Sequence, residues 1–288
     1  MSLTEKTLEV DSLSWFYREI QPDNGSDKTT TIFLHGVPSH SFGWCEVMTD
    51  LAKVGLSAIA PDWIGSGSSS QPDVRDFPYT PDAFVKALGN LIKAWEIKKC
   101  NLVTQGFLMG SMGLLYALNN PEAIERLVIL NTPLTPSTKL PWKMKQWGLP
   151  FVGDVLTQDP LLVDRTLEGG SGYVIADKNL GVYRRPFLKS SDAGRALVAT
   201  VRKLQKQSYL SEIESGLRQW SKPTLIIWGE EDPWLDTTAA EKLAKLNSHI
   251  ELVKLEEAKH FPQEHFSSEI SELMSNFLRR QISTEAVG

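Results

Sequence analysis

The chain has 288 residues, 41% of them hydrophobic and 23% charged, with a formal net charge of −5. That length allows one large α/β domain or two small ones with a full core, and the charge offers no basic footprint for nucleic acid or an anionic membrane. The acidic stretch Met1 to Asp11 lacks an apolar h-region and no run of about eighteen apolar residues occurs, which argues against a secretory signal or a membrane span.

A cytoplasmic location is therefore expected. Cys45 and Cys100 lack CxxC or Cys/His ligand spacing, so they are expected to be buried, reduced thiols, with no metal site and no cofactor. Nine Trp, among them Trp44, Trp63, Trp142, Trp147 and Trp234, leave open either ordinary packing or an aromatic-walled pocket for an apolar ligand.

In chain order, Leu8 to Ile20 alternates loosely and predicts an edge hairpin, followed by a polar turn over Gln21 to Asp27. Thr30 to Leu34 is a buried strand ending on His35-Gly36-Val37-Pro38. Phe42 to Val54 has helical spacing, Leu56 to Ala60 is a second buried strand, and Pro61 to Ser70 is a Gly/Ser-rich loop. Thr80 and Pro81 read as N-cap and N1 of a helix reaching Trp95.

Next comes Asn101-Leu-Val-Thr-Gln-Gly-Phe-Leu-Met-Gly-Ser-Met-Gly113, a strand, a sharp turn and the start of a helix that stops before Pro121. A tight strand-to-helix turn lifts one side chain clear of the sheet and aims helix amides at it, so a nucleophile is looked for here. Arg126 to Thr132 is another strand, giving the alternation of a doubly wound parallel sheet. From Pro133 to Lys222 this rhythm gives way to prolines, aromatics and short helical patterns, including an apolar stretch at Leu149 to Val155, a turn at Glu168 to Gly172 and a helix over Asp192 to Lys206. The sheet resumes at Pro223 to Trp228; a helix over Thr237 to Leu246, a strand over Ile250 to Leu255 and a last helix over Ser267 to Arg280 complete the chain. The expected division is residues 1–132 and 223–288 as core and 133–222 as an inserted helical cap.

The order His35-Gly36, Pro61-Asp62 with Gly65 and Gly67, a strand-turn-helix, an insertion, Trp228-Gly229 with Asp232, and Lys259-His260-Phe-Pro-Gln263 resembles the α/β-hydrolase fold, in particular its haloalkane dehalogenase and epoxide hydrolase branch. The resemblance covers about Leu8 to Leu278. It implies a mostly parallel eight-stranded sheet with a helical cap, and Asp232 orienting His260 as general base. It further implies Val37 and Phe107 as oxyanion donors, and a pocket for a small apolar substrate near His35, Gly36, Trp44, Gln105, Phe107, Asn131, Trp234 and Phe261. Asn131 stands where some relatives carry a second acid. A monomer or weak homodimer is expected.

The elbow departs from the family pattern. Counted forward from Lys98-Lys99 the nucleophile position falls on Gly106; counted back from Pro121 it falls on Phe107, with one residue inserted in the helix. Neither can attack. Met109-Gly110-Ser111-Met112-Gly113 looks locally like a serine elbow, but Met109 occupies a site that wants a small residue, and a strand reaching Met109 would leave a short helix. Ser111 is thus either a nucleophile or a small packing residue. Without an Asp and a neighbouring Trp, the window argues against C–halogen cleavage through an alkyl-enzyme. A hydrolase running on the His260–Asp232 dyad, a non-hydrolytic lyase or decarboxylase on the same scaffold, as in the methylketone synthases, and a non-catalytic binding protein are the three readings left.

Overall fold

The structure, a computed structural model, describes residues 2–23 and 29–281. Residues 24–27 of the polar turn expected at Gln21 to Asp27 lie outside the described residues.

The chain begins with β1 (Thr4–Val10) and β2 (Leu13–Ile20), an antiparallel hairpin that starts earlier than its apolar pattern suggests. β1 is an exposed edge whose side chains pair across the hairpin, as Lys6 does with Glu19 at 2.6 Å, so it shows little hydrophobic alternation. Asp11 and Ser12 make the turn, both at positive φ, as a two-residue hairpin of this twist requires.

Next come β3 (Thr30–Leu34), α1 (Cys45–Lys53), β4 (Ala58–Pro61), α2 (Pro81–Ala94), β5 (Cys100–Gln105), α3 (Met109–Asn119) and β6 (Ile124–Leu130). Thr80 caps α2 by accepting from the Ala83 amide, with Pro81 in the first turn, as the sequence indicated. β7 (Thr224–Gly229), α10 (Thr238–Leu246), β8 (Ile250–Leu255) and α11 (Ser267–Leu278) close the chain. The eight strands lie in the order β1-β2-β4-β3-β5-β6-β7-β8, antiparallel through β2 and β4 and parallel from there on.

Successive strand residues alternate between two cores, as a period of two demands. Ile32, Leu34, Leu102, Ile129, Ile226 and Trp228 face one side under α2, α3 and α10. Phe33, Val103, Val128, Leu225 and Ile227 face the other, under α1 and α11. Both faces are covered, which is why the central strands read as continuous apolar runs rather than alternating ones.

Six helices stand between β6 and β7: α4 (Trp142–Trp147), α5 (Val152–Leu156), α6 (Leu161–Ser171), α7 (Asp177–Lys189), α8 (Ser191–Leu204) and α9 (Leu210–Gln219). The turn expected at Glu168 to Gly172 is instead the end of α6. Gly172 takes a left-handed φ of 74° as its C-cap, while Gly169 and Gly170 stay helical. The apolar stretch Leu149 to Val155 does not become core: Phe151 is 86% and Val155 73% exposed. Among the described residues no helix is long and apolar enough to cross a membrane.

Candidate active site

β5 ends at Gln105 in the middle of the sheet, and Gly106 follows at a φ of +89°. Glycine is required by space as well as by conformation. Gly36 packs against it so closely that a Cβ on Gly36 would stand 2.8 Å from the Gly106 Cα, and one on Gly106 would stand 3.1 Å from the Gly36 Cα. The strand does not run on to Met109. Phe107 and Leu108 make the turn, Leu108 at a φ of +60°, and α3 begins at Met109. The residue at the apex of the turn is therefore Leu108, midway between Gly106 and Gly110, so the small-x-apex-x-small spacing is kept without an extra residue and the position expected at Gly106 or Phe107 moves to a leucine, which cannot attack either. Gly110 must also be small, because a Cβ there would meet the Gln105 carbonyl at 2.4 Å.

That geometry removes Ser111 from the elbow. It is the third residue of α3, fully buried, with the Tyr209 phenol beside its hydroxyl. Gly106 lies close to the imidazole: a Cβ built on it would stand 3.8 Å from His260 Nε2. Phe107, the position reached by counting back, instead stacks its ring on the imidazole at 5.0 Å between centroids.

His260 and Asp232 meet as the sequence implied, Nδ1–H donating to Asp232 Oδ2 at 2.7 Å with both side chains inaccessible to solvent. The same Oδ2 accepts from Asn131 Nδ2 at 2.8 Å, and Oδ1 accepts the amides of Trp234 and Leu235 at 2.8 and 3.1 Å. Asn131 is itself fixed, because its Oδ1 accepts the Gly229 amide at 2.9 Å. Asp232 is thus held in one orientation, which sets the proton on Nδ1 and leaves Nε2 as the free lone pair. Nε2 is buried and has no protein hydrogen-bond partner among the described residues.

The backbone of the histidine is tied at both polar groups: its amide donates to the Gly170 carbonyl at 2.9 Å and its carbonyl accepts from Gln105 Nε2 at 2.7 Å. Trp234 and Phe261 complete the ring's surroundings at 4.7 and 4.8 Å. Gly170 brings α6 down onto this cage, since a Cβ there would stand 2.5 Å from the Phe261 ring.

Several expected pocket residues serve other purposes. Trp44 lies in the opposite core, 5.1 Å from Phe33 between ring centroids, beneath α1 and α11; helical spacing in Phe42 to Val54 could not tell which face of the sheet that helix covers. His35 is a strut: Nε2 accepts the Trp63 amide at 3.2 Å, its carbonyl accepts Trp63 Nε1 at 3.0 Å, and burial lowers its pKa. Asn131 and Gln105 hold the acid and the histidine loop rather than line a cavity. Val37, expected as an oxyanion donor, gives its amide to the Phe107 carbonyl at 3.3 Å. Phe107 thus turns a carbonyl where the resemblance implied an amide, and a donor so engaged cannot at the same moment serve an oxyanion.

Residues that the sequence did not single out also matter. Thr132 Oγ1 accepts the Gly106 amide at 3.1 Å, and Gly170 meets the histidine amide. Gly170 was the available signal, and close helix approach is what it marks, whereas Gly169 faces open space.

Around Asp62 the polar groups are structural. Asp62 accepts from the Ser41 amide at 2.8 Å and the Ser68 amide at 2.7 Å, while buried Arg18 donates to Ser41 Oγ at 2.6 Å. Burial drives His40 down to about 4. Cys100 is buried, Cys45 only half-buried, and both are free thiols that burial pushes up to about 12 and about 11. Among the described residues no three metal-ligating side chains gather.

Glu264, four residues beyond His260, accepts from the Tyr183 hydroxyl of α7, and desolvation raises its carboxyl to about 7. Between the ordinary carboxylate range and that value the folded chain holds a proton the unfolded chain has lost, so this group makes stability fall as pH rises through that window. Melting temperatures taken from about pH 5 to about pH 7.5 are expected to decline less in Glu264→Gln than in wild type. Equal slopes would remove Glu264 from the account.

A model of the alpha/beta hydrolase fold family matches residues 30–266. The chain is 28% identical over 269 residues to a cis-3-alkyl-4-alkyloxetan-2-one decarboxylase of Shewanella oneidensis, covering 86% of this chain and 81% of that protein. It is 23% identical over 273 residues to a haloalkane dehalogenase of Mesorhizobium japonicum, covering 88% and 85%. The crystal structure of the haloalkane dehalogenase DbeA from Bradyrhizobium elkani superposes with a TM-score of 0.83 at 21% identity, covering 96% of this chain and 98% of that one; at that identity the likeness speaks for the fold.

Proposed function

The chain belongs to the α/β hydrolase fold family, and from that premise we propose that it transforms a small, largely apolar substrate by general acid–base chemistry from the His260–Asp232 pair, with no nucleophile supplied by the protein. The observation that carries this reading is a buried Nε2 with no protein partner among the described residues, beside a turn of Gly106, Phe107 and Leu108, none of which can attack. A buried acceptor left unpaired costs about 1–3 kcal/mol, so it calls for an explanation in use. Asp232, meanwhile, has its accepting positions filled, an arrangement suited to stabilising an imidazolium. With glycine, phenylalanine and leucine making the turn, the atom that gives up its proton belongs to water or to the substrate. In hydrolysis, Nε2 takes a proton from water as the water oxygen attacks, and returns it to the leaving group.

The engaged Val37 amide favours a second version. A reaction that builds no tetrahedral oxyanion, such as a decarboxylation or another proton-transfer elimination, needs no release of that amide from Phe107. Similarity to a protein named a decarboxylase fits this version.

The test uses a panel of esters, lactones and β-keto acids with a fluorophosphonate probe. We expect turnover with at least one substrate class, no labelling by the probe, little change in Ser111→Ala and loss of turnover in Asp232→Asn. Labelling of Ser111, or ligand binding without turnover anywhere in the panel, would overturn the reading, the first in favour of a serine hydrolase and the second of a binding protein.

A further inference from the structure

A cleft of about 430 Å³ lies beside the dyad, at the carboxyl ends of β6 and β7, between α9, α10 and the segment from Thr132 to Lys139. This is the end of a parallel sheet where α/β folds take ligands, and the volume suits a small molecule. Its walls are mixed: Leu134, Leu235 and Leu243 supply apolar surface beside Thr132, Thr135, Ser137 and Thr138, and Trp228, only 1% exposed, also lines it with an indole N–H that has no acceptor among the described residues. Its charged rim is unevenly committed. Glu214 is paired with Arg218 at 2.6 Å and Asp236 accepts the Thr238 amide at 2.9 Å, whereas Lys139 and Lys242 have no carboxylate partner among the described residues. Asp236 keeps its charge while accepting an amide, but with Glu214 and Arg218 cancelling each other the two lysines outweigh it, and the rim is net positive.

Two residues belong to both the cleft and the dyad's surroundings. Thr132 holds the Gly106 amide, and Trp234 packs on the His260 ring at 4.7 Å. Trp234 is therefore the partition between the cleft and an imidazole that is otherwise enclosed by Phe107, Phe261 and α6.

We propose that this cleft binds an amphiphilic carboxylate, its apolar body against Leu134, Leu235 and Leu243 and its anionic end at Lys139 and Lys242, and that Trp234 is the positioning residue whose displacement opens the cleft onto His260. The route to His260 deepens the dyad reading and rests on it; binding in the cleft does not.

Calorimetric titration with octanoate and with neutral octanamide tests the binding. Octanoate is expected to bind wild type and His260→Ala alike, and to bind the exposed double variant Lys139→Glu/Lys242→Glu about tenfold more weakly or worse, because two attractive charges become repulsive. Octanamide should be indifferent to the charge reversal. The route is read separately by diethyl pyrocarbonate, which acylates a neutral imidazole nitrogen, with His260 followed by peptide mass spectrometry. Trp234→Ala should speed acylation of His260 about tenfold or more by removing the partition, and octanoate should slow acylation in wild type. Octanoate affinity unchanged by the charge reversal, or no octanoate binding, overturns the anionic assignment; acylation unaffected by both Trp234→Ala and octanoate overturns the route. A protein without turnover that still binds octanoate in this manner would sink the dyad reading and leave the cleft standing.

Discussion

Exchanging His260 for alanine is expected to lower kcat by about 10²–10⁴-fold, the span that a positioned general base contributes, with little change in KM. The imidazole is the one group set up to take a proton: Asp232 fixes its tautomer at 2.7 Å, and Nε2 is left without a protein partner among the described residues. Removing it removes an interaction made in the transition state rather than in the ground state, so kcat and kcat/KM should fall together. Asp232→Asn should lose much of the same factor, because an amide cannot stabilise the imidazolium and can present its NH2 to Nδ1, favouring the wrong tautomer. Steady-state kinetics on the substrate class found in the panel decide it. A variant that keeps turnover and loses only affinity would mean that His260 lines a binding site and moves no proton.

The second large effect lies away from the dyad. Trp44→Ala should destabilise the fold by about 3–5 kcal/mol, the usual cost of truncating a buried indole, and should leave substrate affinity unaltered at temperatures where the variant is folded. Trp44 is fully buried beneath α1 and α11 and tilts against Phe33 on the face of the sheet opposite Leu34 and Leu102. Urea denaturation measures the loss. A cost below about 1 kcal/mol, outside the range for such truncations, combined with a changed KM would return Trp44 to the pocket wall.

These two residues also mark how far the sequence could be read. Asp232 and His260 were legible because Asp232 follows the continuous apolar run of β7 and His260 the amphipathic β8, and the order of such strands fixes what the loops bring together. The central turn was legible as far as Gly106, since β5 ends at Gln105 as its pattern indicates. What could not be read was which residue takes the apex. Leu108 accepts a φ of +60° in the turn, which nothing about leucine announces, and that choice decides which carbonyl meets Val37. Trp44, His35 and Asn131 were placed by proximity in the chain to loops near the site. Their actual neighbours, Phe33 for Trp44, Trp63 for His35, and Asp232 with Gly229 for Asn131, are set by which face of the sheet an element covers and by long-range pairing. The helices between β6 and β7 were legible as an interruption but not in detail, because Gly169-Gly170 reads equally as a turn and as a close helix approach.

Acid-quenched intact-mass spectrometry during turnover tests the central claim most directly. If catalysis proceeds through His260 with no nucleophile from the chain, the quenched protein keeps its unmodified mass at every time point while product accumulates, in wild type and Ser111→Ala alike. A burst of protein carrying the mass of a substrate fragment, lost in Ser111→Ala or mapped to any other side chain, would contradict it.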